Sequence, residues 1–230
     1  MPDRRELKQR VSELLRHPDA AGSIEELCRL PGRRVVNPLL SFLPSLDESL
    51  KWRTVEALGA VVARLAEKQL EPARVVLRRL AWTLSDESGG IGWGAPEAMG
   101  EAMARSGALA EEFADVLIAF IRPEGNYLEY KELHPGVLWG IGRLAHARPA
   151  RARSAATYLG PFLEAAEPAI RGTAVWIATA LPVELPPARR EALRCDAAVF
   201  PLYRDGRVDD VRIGELAAGM VAGPAAASGG

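Results

Sequence analysis

Apolar positions along this chain follow a helical period, and they do so in a unit that returns. In Leu50-Lys51-Trp52-Arg53-Thr54-Val55-Glu56-Ala57-Leu58-Gly59 the apolar residues recur at the spacing of a helix face. The same template returns as Ile91-Gly92-Trp93-Gly94-Ala95-Pro96-Glu97-Ala98-Met99-Gly100, with Trp, Glu, Ala and Gly in register. Looser copies occupy 133–142 and 170–179, so successive starts are 41, 42 and 37 residues apart. Self-similarity at such a spacing is the signature of stacked helix pairs. A second apolar helical pattern precedes each copy, at 36–43, 75–82, 113–120 and 155–163. The polar turns Asp47-Glu48-Ser49 and Asp86-Glu87-Ser88 supply caps for the helices that follow them.

The motif resembles the HEAT repeat, in which a helix ending in Leu-Leu is followed by Asp, then Val-Arg, and leads to Ala-Leu-Gly. The copy at 50–59 matches it best, and the resemblance extends over about residues 33–181. It takes in the HEAT-like repeats of phycobilin lyases and of other bacterial proteins. It implies an all-α fold, an α-α superhelix built as a short right-handed HEAT-like solenoid of about four helix pairs. The expected organisation is an N-terminal helical cap over 1–32, repeats over 33–185, a C-terminal cap over 186–222 and a disordered tail over 223–230.

Two helices are expected in the first segment. One covers 3–16 and is capped by Asp3; the other covers 23–30, with Ser23 and Glu26 as a capping box. Near the C-terminus, Tyr203-Arg204-Asp205-Gly206-Arg207-Val208 sets an Asp-Gly turn between alternating runs. It predicts a β-hairpin cap, followed by a short helix from Glu215. A fifth second helix opening at Val211 is the alternative, since Val211 lies 41 residues after Ile170.

At about 100° per residue, template positions 1, 5, 8 and 12 form one stripe, with Leu50, Thr54, Ala57 and Val61 in the first copy. Positions 3, 7, 10 and 14 lie nearly opposite, and four of the five tryptophans fall there. In the HEAT arrays this chain resembles, second helices line the concave surface, so this face would floor a groove. The candidate binding residues are Trp52, Glu56, Trp93, Glu97, Trp139, Arg143, His146 and Trp176. Tryptophan is enriched among binding hot spots, and small residues at position 10 leave room beside an indole. The competing reading packs the tryptophans between neighbouring second helices.

Composition narrows the function without naming it. The chain has 48% hydrophobic and 26% charged residues and a net charge of -1, which argues against gripping phosphate backbones over its whole surface. No apolar stretch is long enough to span a bilayer, and the N-terminus carries no signal-peptide core, so a cytoplasmic setting is expected. Cys28 and Cys195 lack metal or disulfide spacing, and His17, His134 and His146 share no ligand spacing. His134 is expected to cap the helix beginning at Pro135. The glycines from Gly89 to Gly94 form a loop carrying Trp93, with the helix starting near Ala95; no strand precedes them and no Lys-Ser/Thr follows, so they are not a P-loop. No nucleophile-base set is visible, and neither an enzyme activity, a cofactor nor a metal is expected. The reading is a scaffold that binds a protein or peptide in the Trp-lined groove. Two alternatives stand beside it: a flat, tetrapyrrole-like ligand, implied by the phycobilin-lyase resemblance, and a nucleic acid held by the arginines of 143–153.

Overall fold

Local chemistry sets most helix boundaries. The computed structural model describes residues 3–85 and 92–221. The expected turn at Asp86-Glu87-Ser88, Gly89, Gly90, Ile91 and the tail 223–230 lie outside them. Asp3 accepts from the Arg5 N–H and Glu6 reaches back to the Asp3 N–H, a full capping box that opens α1 (Arg4–Arg16). The next helix, α2 (Ala20–Arg29), starts three residues before the expected Ser23. Asp19 caps it through the Gly22 N–H, and Ser23 is instead buried inside the helix. A carboxylate available one turn earlier displaced the hydroxyl as cap.

The chain falls into two compact units, residues 1–113 and 114–230. In the first, α3 (Gly32–Leu40) pairs with α4 (Glu48–Lys68), which Asp47 caps through the Leu50 N–H. The second pair is α5 (Leu70–Ser85) and α6 (Ala95–Arg105). Gly94 precedes α6 at φ 77°, in the left-handed region, and Pro96 occupies its first turn. The long helix α4 packs on α3, α5 and α6 at once, and α1 and α2 pack against α3 and α4. Helix α7 (Gly107–Ile118) follows.

The second unit is built on α8 (His134–Ala147) packed against α11 (Pro168–Ala178). After α9 (Pro149–Ala152), the helix expected over 155–163 is replaced by the end of a 3-10 stretch (Arg153–Tyr158) and by α10 (Gly160–Leu163). Pro161 has no N–H and its ring crowds the carbonyl four residues back, which favours a break before it and suits it to the first turn of α10. His134 does not cap α8 from outside. It is the first helical residue, buried, with Nε2 on the Leu128 carbonyl at 2.8 Å and its ring edge-on to Tyr127 and Phe162.

The C-terminal segment adds α12 (Pro187–Arg194), β1 (Val199–Arg204), β2 (Arg207–Arg212) and α13 (Ile213–Ala217). The strands pair antiparallel, with Tyr203 opposite Val208 and Arg204 opposite Arg207. Asp205 and Gly206 both have positive φ, 52° and 80°, as a two-residue type I′ turn requires. Val211 therefore lies in a strand, and no fifth second helix begins there. Among the described residues the chain is all-α apart from this hairpin, with helices paired in HEAT-like fashion inside each unit. Among the described residues no helix is long and apolar enough to cross a membrane.

Candidate functional site

The eight candidate residues divide evenly between the units, and each set is coherent by itself. In the second unit, Trp139 and Trp176 come from template position 7 of α8 and α11. They are 5% and 6% exposed, with ring centroids 6.2 Å apart. Gly142, at position 10 of α8, is what lets them meet: a Cβ there would lie 2.4 Å from the Trp176 ring. The room that a small residue provides is thus taken by the indole of the next second helix. His146 stacks on Trp176 at 4.8 Å, and its Nε2 bonds the Trp176 carbonyl at 3.1 Å. Burial of that ring lowers its pKa, and the Arg143 and Arg204 charges push the same way against the carbonyl bond.

This face is not open, because the hairpin occupies it. Phe200 of β1 lies where a Cβ on Gly172 would be, and is 2% exposed. The Tyr203 carbonyl accepts from Trp139 Nε1 at 2.8 Å, and the two rings are 6.1 Å apart. Arg171 anchors the approach to the hairpin: its Nε donates to Asp196 at 2.7 Å, and its Nη1 to the Ala165 and Ala166 carbonyls. That hydrogen bond holds the Asp196 carboxyl below the ordinary carboxylate range.

In the first unit the corresponding face belongs to α4 and α6. Trp52 is 8% exposed, Glu97 4%, and Glu56 is intermediate, whereas Trp93 is 38% exposed. Glu97 pairs with Lys51 at 2.7 Å, and the same ammonium sits 5.0 Å from the centre of the Trp52 ring. The second carboxylate oxygen of Glu97 is buried and accepts no hydrogen bond from the described residues. One turn on, Glu101 is also buried; it packs across Gly59 of α4 and binds Arg105 Nε at 2.5 Å. Trp93 is carried on the turn before α6, where Gly94 fits against Leu43 with no room for a side chain.

Of the two readings of the tryptophans, packing between second helices therefore describes Trp52, Trp139 and Trp176, and exposure describes Trp93. Helix α4 is buried on more than one stripe because it packs on α3, α5 and α6 together. Positions 1, 5, 8 and 12 are buried, and so are positions 3 and 10, where Gly59 meets Glu101 of α6. Lys51, Glu101, Phe200 and Tyr203 were not singled out from sequence. A cation at position 2 facing an acid at position 7 of the next copy would have pointed to Lys51 and Glu97. Of the Arg-rich segment, Arg143 and Arg148 are partly exposed and Arg151 and Arg153 exposed, at the end of α8 and on α9 and the stretch after it.

No family model matches the chain, and a comparison of its sequence with curated proteins finds no match. Solved structures similar to it include two engineered proteins, each 14% identical. One covers 75% of this chain and 78% of its own length at a TM-score of 0.40, and the other 84% and 86% at 0.42. An archaeal HEAT-like repeats protein from Thermococcus onnurineus NA1 is similar over 86% of this chain and 92% of that one, at 12% identity and a TM-score of 0.33. With values this low, the fold assignment rests on the helix pairing inside each unit.

Proposed function

We propose that the chain is a non-enzymatic, cytoplasmic interaction module that holds an extended segment of a protein partner on the α4–α6 face, at Trp93, Glu56 and Glu97. The observation that carries this reading is the hairpin of the second unit. There, the equivalent template positions of α8 and α11 already hold an extended strand, through an aromatic residue seated on a helix glycine and an indole N–H bonded to a strand carbonyl. The α4–α6 face carries tryptophans at position 3 and carboxylates at position 7 of the same template. An exposed indole can anchor an apolar group. Glu56 has solvent access, and a carboxylate there can take an N–H or ammonium of the partner, with the Lys51-bound carboxylate of Glu97 behind it. The preferred segment is accordingly extended, with an apolar residue and a basic one. The caps fit this reading: α1 and α2 close the first unit's pairs, and the hairpin closes the α8–α11 pair.

Affinity capture from native lysate tests it, with the full chain set against a folded Trp93→Ala/Glu56→Lys variant. Both positions have solvent access, so the fold should survive. A protein retained by the parent and lost by the variant supports the reading. Equal retention by both moves the binding surface off this face, and specific retention by neither contradicts an interaction module.

A further inference from the structure

A second site lies on the opposite type of helix in the first unit. Between the first helices α3 and α5, closed at one end by the last turn of α4, is a cleft of about 870 Å³. That falls within the size range of small-molecule sites, which are concave and largely apolar with a few polar groups fixing orientation. Its floor is aliphatic, from Val36, Leu65, Leu70 and Val76. Along α5 it runs from Leu70 to Arg79, about 13.5 Å at the rise of an α-helix.

The charges at its rim are unbalanced. Arg33 donates to the Gln69 side-chain carbonyl at 2.8 Å, and Arg79 to that of Asn37 at 2.6 Å. Both acceptors are neutral amides, and among the described residues neither guanidinium has a carboxylate within ion-pair distance. The other charges are satisfied. Arg74 is bound by Glu112 and Glu71, and Glu71, the one carboxylate among the described residues lining the cleft, is further held by Arg78. Val75, 54% exposed, stands at the lip with no apolar cover. Two uncompensated guanidiniums over an aliphatic trough select one chemistry: an oxyanion head taken by a planar fork, and a linear hydrocarbon body.

We infer that this cleft binds an amphipathic aliphatic carboxylate, with the chain along the α3–α5 floor and the carboxylate between Arg33 and Arg79. The site is independent of the α4–α6 face and stands or falls separately from it.

The test is calorimetric titration of the full chain with dodecanoate below its micellar concentration, with dodecanol and acetate as probes of body and head alone. The expected result is saturable one-to-one binding of dodecanoate, weaker binding of dodecanol and none of acetate. Arg33→Gln/Arg79→Gln should weaken dodecanoate at least tenfold, and Val75→Asp likewise; all three positions are solvent-accessible, and circular dichroism checks that the variants fold. Absence of saturable binding, uptake of many equivalents, or affinity unchanged in both variants overturns the inference. So does dodecanol binding as tightly as dodecanoate. Loss in Val75→Asp alone would show an apolar site without the carboxylate recognition, and would overturn it too.

Discussion

Gly142 shows how a single absent side chain can set the distance between two helices. The Trp176 ring fills the space its Cβ would need, at 2.4 Å, and that indole is already stacked on His146 and in contact with Trp139. Gly142→Ala should destabilise the chain by about 1–3 kcal/mol, the usual cost of overpacking, read from urea unfolding followed by tryptophan fluorescence. Asp196 is a second residue-scale case. Its carboxyl is held below the ordinary range by Arg171, so its contribution is fully present above the unfolded carboxylate pKa of about 3.9 and is lost as pH falls through the folded value. Asp196→Asn should therefore be less stable than the parent at neutral pH, and the gap should close as acid is added. A gap that stayed constant from neutral to acid pH would show that the pair contributes nothing through charge.

Elements were legible wherever their chemistry is local. Asp3 with Glu6 and Asp47 before α4 could be read as caps because a cap acts within one turn. Asp205-Gly206 could be read as a hairpin because few residue pairs tolerate two positive φ values. Gly206→Ala should accordingly cost about 1–2 kcal/mol, whereas Asp205→Asn should be nearly neutral; thermal unfolding of both variants checks this. Two features required more than local pattern. The apolar run at 155–163 looked helical, yet Pro161 divided it, and Asp19 outcompeted Ser23 because it lies one turn earlier. Trp139→Phe probes an element contact that no window along the chain contains. It should cost about 1–3 kcal/mol by leaving the buried Tyr203 carbonyl without its donor, seen as a lower midpoint in denaturant.

At the scale of the molecule, the repeat could be read from four template copies, because stacked helix pairs impose one spacing on the sequence. What the spacing hid was the second use of each second helix. Inside each unit one second helix packs on the other, α4 on α6 and α8 on α11, and three of the four template tryptophans are buried. The surviving candidate is the α4–α6 face, where Trp93 reaches solvent and one buried oxygen of Glu97 accepts no hydrogen bond from the described residues. Hydrogen–deuterium exchange on the full chain, with and without the captured partner, tests this account most directly. It predicts slowed exchange over residues 52–60 and 92–101. Protection confined to the hairpin at 199–212 or to α5, with those two segments unchanged, would contradict it.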